Sequence, residues 1–363
     1  MADKIIIEDA MKKLEVRNIK EAGVLQLLNK YLKVNKKDYP YLISELMTDD
    51  CSIIDVGSDK YITISTDRVS SRPLAARLGL IGYKELGHYV VYANISDVAS
   101  SGSDPLGLLI ALGLPFSFKI SDLEELIKGI KEACDYYGTC VLGGDTNYTK
   151  DLSLVATSIG IVDKDALMPR FGAKKDDIIA VTGYVGTFTA AGYAFIKKIE
   201  MSNKIRDLFI DALKYPKVPL REAKLVAKHK GGHAGIDISD GLGVDLKKIA
   251  DESGVGMRIY EKKLPIKQEV REFALSLNKN PSDFAFGIGG DWQIIFTIKP
   301  QKWDLIKHEI NKAGGRLTEI GYIIEEKKLE MVTKNGEIKP LETRGHDDFG
   351  FKTFEEEILS YYE

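Results

Sequence analysis

The chain has 363 residues, which exceeds the length of one ordinary hydrophobic core, so two domains are expected. Its net charge of −3 and the lack of a long basic block exclude a protein that binds nucleic acid or an anionic membrane surface through a basic patch. No apolar run has membrane-spanning length and no basic segment leads into an apolar one, so we expect a cytoplasmic protein.

Apolar residues recur at helix-like and strand-like spacings along the first half of the chain. They predict helices at 5–33, 84–100 and behind Ser121, and strands at 60–66, 105–114, 139–143 and 153–162. Ser121-Asp122-Leu123-Glu124 has the capping-box pattern that starts a helix, and Gly138 is typical of a residue that ends one. The polar segment 163–176 is expected to separate the two halves.

The second half continues with strands and helices in mixed order. The patterns predict strands at 177–182, 235–238 and 293–299, and helices at 188–198, 203–214, 220–229 and 301–313. A further helix is expected to run through Leu246 and Ile249. Because neither half shows a continuous parallel-sheet pattern, we expect an α+β fold.

Gly235-Ile-Asp-Ile-Ser-Asp-Gly-Leu242 is the most informative segment. It predicts a strand that leads into a helix, with Asp237, Ser239 and Asp240 crowded at the junction. Free backbone N–H groups and the positive end of the helix dipole favour an anion at such a place. The two carboxylates would repel a bare phosphate, so a divalent cation between them and the phosphate is one interpretation. An Asp N-cap with a second Asp on a turn is the other.

Further carboxylates stand beside predicted elements of the first half: Asp49, Asp50, Asp67, Asp97 and Asp145. Converging carboxylates suit a hard cation, and Mg²⁺ typically takes one or two of them together with phosphate oxygens and water. Gly143 and Gly144 are expected at the end of a strand, where paired glycines let the backbone approach a bulky anion. Each motif alone is also typical of a solvated turn. No Gly-x-Ser-x-Gly or Gly-Lys-Ser/Thr loop is present, which argues against an α/β-hydrolase and a P-loop kinase.

Taken in order, these motifs resemble those of the thiamine-monophosphate kinase family, within the aminoimidazole-ribonucleotide-synthetase-like superfamily. The resemblance covers roughly residues 45–350 and rests on Asp49-Asp50, Thr66-Asp67, Asn94-Ile-Ser-Asp97, Gly143-Gly-Asp-Thr146, the segment 170–177, Thr182-Gly183, Asp237-Ile-Ser-Asp-Gly-Leu242 and Gly289-Gly-Asp291. It implies an N-terminal α+β domain at 45–163 that binds ATP and Mg²⁺ and dimerises through its sheet. A C-terminal α+β domain at 164–363 would follow. Residues 1–44 lack the usual start of the family, and their own pattern predicts a helical extension.

The resemblance also implies which residues contact each ligand. Mg²⁺ would be bound or its ligands oriented by Asp49, Asp50, Asp67, Asp97, Asp145 and Asp240. ATP would be contacted by Thr66, Gly143, Gly144, Asp145, Thr146, Ser239 and Asp240. Asp145 and Asp240 would be the catalytic residues.

The sequence departs from the family pattern where the acceptor is expected to bind. Gly289-Gly290-Asp291-Trp292 is a shortened and altered form of a longer family motif, and Arg68-Val-Ser-Ser-Arg72 replaces a segment that usually holds a His-Phe pair. Arg68 and Arg72 would hold an anionic acceptor, or would lie on a solvated loop. Asp291 and Trp292 are further acceptor candidates, and Trp292 is equally typical of a core aromatic residue.

The implied reaction transfers the γ-phosphoryl group of ATP to thiamine monophosphate and gives thiamine diphosphate. The acceptor phosphate is already ionised near neutral pH, so no strong general base is needed, and Mg²⁺ offsets the repulsion between two polyanions. We therefore expect an ATP- and Mg²⁺-dependent kinase that acts as a homodimer on a small phosphorylated molecule. Two alternatives stay open: an ATP-dependent synthetase of the same superfamily, and a non-catalytic nucleotide-binding maturation partner.

Overall fold

The structure is a computed structural model that describes residues 16–343 together with residues 345, 355, 356, 358 and 359, and side chains from residue 23 onward. The first described element is helix α1 at Val16–Leu32. The start of the helix that we predict at 5–33 lies outside the described residues. Within the described range, none of the helices combines the length and the apolar character needed to cross a bilayer.

The first domain is built on a five-stranded sheet in the order β1-β2-β5-β3-β4. Its strands are β1 (Ser52–Asp55), β2 (Lys60–Val69), β3 (Asp104–Leu114), β4 (Val141–Tyr148) and β5 (Ser153–Asp163). Helix α2 spans Leu74–Arg77, α3 spans Tyr83–Ser100 and α4 spans Ile120–Tyr137. Buried and half-buried residues alternate along β5, as expected for a sheet that α3 packs against on one face.

The second domain is built on a seven-stranded sheet in the order β12-β11-β8-β10-β6-β9-β7. Its strands are β6 (Ile178–Thr182), β7 (Gly232–Asp237), β8 (Gly256–Tyr260), β9 (Ile294–Ile298), β10 (Leu317–Ile324), β11 (Leu329–Val332) and β12 (Ile338–Pro340). Every residue of the central strands β6 and β9 is buried, because helices cover both faces.

The helices of the second domain are α5 (Thr187–Ile196), α6 (Asn203–Lys214), α7 (Leu220–Lys228), α8 (Leu242–Ser253), α9 (Gln268–Ser276), α10 (Pro281–Ala285) and α11 (Trp303–Lys312). Short 3₁₀ helices occupy Glu261–Lys263 and Pro300–Lys302. Two separate sheets, each with its own helices, confirm the α+β class. The domain limits at 44/45 and 163/164 stay a prediction.

A continuous apolar core joins the two domains. It contains Val91 of α3, Phe296 of β9 and Val226 of α7, all fully buried. At Gly235 strand β7 lies so close to the end of α3 that a Cβ would come within 2.1 Å of the Ser100 carbonyl oxygen. A glycine is therefore required there, and this close approach brings the end of β7 next to the last turn of α3.

Two local predictions are wrong. Helix α4 begins at Ile120 with Lys119 as its N-cap residue, so Ser121 lies inside the helix and forms no capping box. The paired glycines Gly143 and Gly144 lie inside β4 rather than at a strand end. A Cβ on Gly144 would lie 1.8 Å from the Ile110 carbonyl oxygen, so the neighbouring strand β3 explains this glycine. Gly138 does end α4, in the left-handed conformation with φ 67°.

We expect Gly235→Ala to lower the free energy of unfolding by about 1–3 kcal/mol, because the added methyl group overlaps the Ser100 carbonyl and forces the domains apart. Chemical denaturation monitored by circular dichroism measures this. Gly82→Ala is the matched control, since Gly82 has an ordinary φ of −110° and its Cβ would come no closer than 3.7 Å to any neighbour. The control should change stability by less than about 1 kcal/mol. Equal effects of the two substitutions would contradict the close-contact explanation.

Candidate active site

Three aspartates from three different elements converge where the two domains meet. Asp50 precedes β1, Asp97 lies in the last turn of α3 and Asp237 is the last residue of β7. One carboxylate oxygen of each lies within 4.8 Å of those of the other two. Asp237 is only 2 % exposed and Asp97 9 % exposed, whereas Asp50 is half-buried. We call these three residues the aspartate triad.

The triad presents acceptor atoms that the protein leaves unpaired. Asp50 Oδ2 and Asp237 Oδ2 are buried and have no hydrogen-bond partner among the residues that the structure describes. The Ser65 hydroxyl donates to Asp97 Oδ2 at 2.5 Å. Buried polar atoms are nearly always paired in folded proteins, so two orphaned carboxylate oxygens in one cluster need an explanation. A hard divalent cation with oxygen ligands fits this set of donors.

Burial and mutual repulsion make the ionised triad unfavourable. Burial, followed by the charges of Asp67, Asp237 and Asp50, raises the pKa of Asp97 well above its ordinary value. Burial and then Asp50 likewise raise the pKa of Asp237. Burial also raises the pKa of Asp67, which lies beside Asp97. The cluster therefore favours the binding of positive charge.

Arg170, in the segment between the domains, holds the chain that carries Asp50. Its guanidinium donates to the carbonyls of Met47 at 2.9 Å and Thr48 at 3.3 Å. The same group donates from Nη1 to Asp50 Oδ1 at 2.8 Å. This arrangement satisfies Oδ1 of Asp50, whereas Oδ2 is the oxygen without a partner among the described residues.

Asp49 stabilises the same segment, which carries Asp50, through two hydrogen bonds from backbone N–H groups. Its carboxylate accepts from the backbone N–H of Cys51 at 3.0 Å and of Arg170 at 2.7 Å. Burial and the neighbouring charge of Asp50 raise the pKa of Asp49 to about 6, although both N–H groups oppose the shift. These contacts give Asp49 a role in loop geometry, and its predicted contact with Mg²⁺ stays a prediction.

The junction between β7 and α8 contributes a second acidic group. Asp240 is half-buried, and Lys248 Nζ lies 2.5 Å from Asp240 Oδ2 and 3.0 Å from Asp245 Oδ1. Asp245 is fully buried, and its Oδ2 accepts from the Gly241 N–H at 3.1 Å. Burial raises the pKa of Asp245 to about 7, while Lys248 lowers it. Ser239 is half-buried at the start of this turn.

The glycine-rich segment before β9 packs against that junction. The Gly290 N–H donates to the Ser239 carbonyl at 3.0 Å, and a Cβ on Gly289 would lie 2.1 Å from the same oxygen. Asp291 accepts from the N–H groups of Gly186 at 2.6 Å and Phe188 at 3.0 Å, at the N-terminus of α5. Burial raises the pKa of Asp291 to about 6 against these hydrogen bonds. The altered motif therefore joins two parts of the second domain.

Trp292 has a left-handed backbone, with φ 53°, and packs edge-on against Tyr92 at 5.4 Å and Tyr89 at 6.0 Å between ring centroids. Both tyrosines belong to α3, so Trp292 lies at the domain interface. Arg68 and Arg72 are exposed, and neither guanidinium has an ionic partner among the described residues. The predicted contacts of these residues and of Asp291 with an acceptor stay predictions.

The predicted residues of β4 lie apart from the triad within one chain. Asp145 is opposite Ala111 of β3, Ala111 is opposite Val155 of β5, and Val155 is opposite Arg68 of β2. Three strand spacings, roughly 14 Å, separate Asp145 from Arg68. Arg68 follows Asp67, the β2 residue that lies beside Asp97 of the triad. Every residue of β4 is exposed, including Gly143, Gly144, Asp145 and Thr146. Thr66 is also exposed on the sheet, and its hydroxyl is hydrogen-bonded to the Thr157 hydroxyl at 2.9 Å.

Of the predicted metal ligands, the structure thus brings Asp50 and Asp97 together, with Asp67 and Asp240 nearby. The sequence places Asp237 beside a possible cation at the junction, but the ligand set implied by the resemblance leaves it out. Lys248 and Asp245 are not among the predicted site residues. The alternation of β7 supplies a signal for Asp237, because the residue two before it, Gly235, is the one that contacts α3. No sequence pattern predicts the contact between Lys248 and Asp240.

The two domains match two known family models. Residues 48–162 match the AIR synthase related protein N-terminal domain, and residues 174–334 match the AIR synthase related protein C-terminal domain. The fold and the acidic interdomain site therefore define a two-domain protein of the AIR synthase related class.

Comparison with individual relatives shows which family within this class the chain resembles. The thiamine-monophosphate kinase of Methanospirillum hungatei JF-1 is 32 % identical over 292 residues, which are 80 % of this chain and 91 % of that protein. The thiamine-monophosphate kinase of Bacillus subtilis strain 168 is 29 % identical over 270 residues, 73 % and 82 % of the two chains. The solved structure of AaThiL complexed with AMPPCP and TMP matches with a TM-score of 0.76 at 25 % identity, and covers 93 % of this chain and 99 % of that chain. The chain belongs to the thiamine-monophosphate kinase family, as its motifs predict.

We expect Asp237→Asn to raise the free energy of unfolding by about 1–3 kcal/mol in EDTA, because the change removes a buried charge that no metal ion neutralises under these conditions. The raised pKa of Asp237 destabilises the fold wherever the group must ionise. The gain should therefore be largest near pH 8 and shrink as the pH falls toward about 4, the pKa of an unfolded aspartate. Thermal unfolding of both proteins across this range measures it. A loss of stability at pH 8 in EDTA would contradict the account.

Proposed function

We propose that this protein is a thiamine-monophosphate kinase that transfers the γ-phosphoryl group of ATP to thiamine monophosphate and releases ADP and thiamine diphosphate. The observation that carries the proposal is the aspartate triad with its two unpaired, buried oxygen atoms, located between the domains beside a strand-to-helix junction. The names of the relatives and the AMPPCP and TMP bound to AaThiL support the choice of nucleotide and acceptor.

Mg²⁺ is the cation that we propose for the triad. Asp50, Asp97 and Asp237 would hold it, and Asp67 and Asp240 lie close enough to affect it electrostatically. When bound, Mg²⁺ would neutralise phosphate charge and so reduce the repulsion between nucleotide and acceptor. The orphaned oxygens of Asp50 and Asp237 support a cation at this place.

The protein's own contribution is to fix the geometry. Arg170 and Ser65 orient the carboxylates of Asp50 and Asp97, and the close packing at Gly235 positions Asp237 between them. The junction of β7 and α8 would receive the phosphates, since the N-terminus of a helix favours negative charge. Transfer to a phosphate needs positioning and charge neutralisation more than proton abstraction, which agrees with a site made of aspartates.

We further propose that the protein is a homodimer formed through the first sheet. Strand β4 at the sheet edge is exposed along its whole length, and Leu142 on it, Leu109 on β3 and Leu106 on β3 are large apolar residues that are 40–52 % exposed. An exposed edge strand is a template for pairing with another chain, and exposed apolar patches mark interaction sites. In such a dimer Asp145, which lies apart from the triad of its own chain, would act at the partner's nucleotide.

The kinase proposal is tested with purified protein, Mg·ATP and thiamine monophosphate, with product separated by chromatography. Wild type should form thiamine diphosphate, and Asp97→Asn should lower kcat by about 100-fold or more, because a triad ligand is lost at a site of charge neutralisation. The matched control is Asp163→Asn, an exposed carboxylate of the same domain that pairs only with Lys60 among the described residues. It should keep full activity.

ADP release without thiamine diphosphate would overturn the acceptor assignment and favour a synthetase of the same superfamily. Wild-type activity of Asp97→Asn would instead remove Asp97 from the metal site.

The dimer proposal is tested by light scattering. Wild type should have twice the mass of one chain, and Leu142→Arg should shift it toward the monomer, since a buried unpaired charge would face the partner's sheet. Leu305→Arg is the control, because Leu305 is similarly exposed, at 44 %, but lies on α11 of the second domain. A monomeric wild type, or dimers for both variants, would contradict this interface.

A further inference from the structure

The ammonium group of Lys248 lies between two aspartates at the strand-to-helix junction. Its Nζ is 2.5 Å from Asp240 Oδ2 and 3.0 Å from Asp245 Oδ1. Asp245 is fully buried and accepts a second hydrogen bond from Gly241, so it belongs to the frame of the junction. Asp240 is half-exposed, and over residues 23–343 Lys248 is the cation that contacts it. Lys248 therefore has one fully buried partner, Asp245, and one half-exposed partner, Asp240.

The charge of Lys248 also reaches the aspartate triad. Burial lowers the pKa of Lys248, but the carboxylates of Asp245, Asp240 and Asp50 together raise it above its ordinary value. The side chain therefore stays an ammonium at neutral pH. Burial and Asp50 raise the pKa of Asp237, and Lys248 opposes both. Two triad members, Asp50 and Asp237, thus interact electrostatically with this ammonium, which offsets part of the charge that a divalent cation would neutralise.

We propose that Lys248 is a positioning residue that competes with the divalent cation: its ammonium holds the carboxylate of Asp240 against α8 and weakens cation binding at the aspartate triad. The inference rests on the proposed metal-dependent kinase function. When cation and nucleotide enter together, Asp240 exchanges Lys248 for the new positive charge, and Lys248 remains paired with the buried Asp245. The protein thereby binds the cation weakly alone and more tightly with the nucleotide that supplies further ligands.

Removal of Lys248 should change the cation affinity in opposite directions if Lys248 competes with the cation and if it only stabilises the junction. If Lys248 only stabilised the junction, its removal would disturb Asp240 and weaken cation binding. If it competes, its removal leaves the same carboxylates with one positive charge fewer nearby, and cation binding becomes tighter.

The test is a titration of the full-length protein with Mn²⁺ alone, without nucleotide, in which free Mn²⁺ is measured by electron paramagnetic resonance. Lys248→Met should bind Mn²⁺ about ten-fold more tightly than wild type. Lys248→Arg keeps the charge and should stay within about two-fold of wild type. Lys247→Met is the matched control, since Lys247 is the neighbouring lysine of α8 but pairs with Asp251 on the exposed side. It should also stay within about two-fold.

Lys248→Met leaves Asp245 buried without its cation, so a second variant guards against misfolding. Lys248→Met combined with Asp245→Asn removes both charges and keeps an acceptor for the Gly241 N–H. It should bind Mn²⁺ more tightly than Asp245→Asn alone.

Equal or weaker Mn²⁺ binding by the folded variants overturns the competition, as does a lack of Mn²⁺ binding by every protein in the series. Thiamine diphosphate formation is measured on the same preparations. Failure to form it would overturn the proposed function, whereas the Mn²⁺ affinities report on Lys248 alone.

Discussion

Mutual repulsion among buried carboxylates is the constraint on which the interdomain region depends. Asp97 and Asp237 are almost fully buried and Asp50 lies beside them. Within the described part of the chain, one oxygen of Asp50 and one of Asp237 have no hydrogen-bond partner. Converging buried charges cost stability unless something offsets them. The fold nevertheless forces them together, because Gly235 allows β7 to lie directly against the end of α3. Packing thus holds the cluster ready for the cation that we propose and for the phosphates that would accompany it.

Two cations of the protein limit the cost in different ways. Arg170 is mostly buried and makes four hydrogen bonds to the segment 47–50, counting its backbone N–H, so it is part of the frame. Lys248 is half-buried and shares its charge between a buried partner, Asp245, and a half-exposed one, Asp240. The frame fixes where the carboxylates lie, while the lysine can be displaced from one of them. Rigid positioning and exchangeable charge are both needed where a polyanion must enter and leave.

Periodicity and motif spacing are local properties, and they predict the class, the acidic motifs and most elements as far as α8. They predict none of β8, α9 and α10. Helix α3 and strand β2 follow their predicted ranges closely, and Asp50 and Asp97 meet as the motifs imply. The features that were not predicted depend on packing between residues that are far apart in the sequence. Gly144 is explained by the approach of Ile110, and Asp291 caps α5 through a contact across more than a hundred residues. Asp237 joins the triad only because β7 packs on α3, which no single motif contains.

Cation binding by the aspartate triad can be observed in an anomalous difference map from crystals of this protein grown with Mn²⁺ and AMPPCP, recorded near the manganese absorption edge. We expect a Mn²⁺ peak coordinated by oxygens of Asp50, Asp97 and Asp237, with nucleotide phosphates completing the shell. Manganese bound to the nucleotide with no contact to any of these three carboxylates would contradict this expectation.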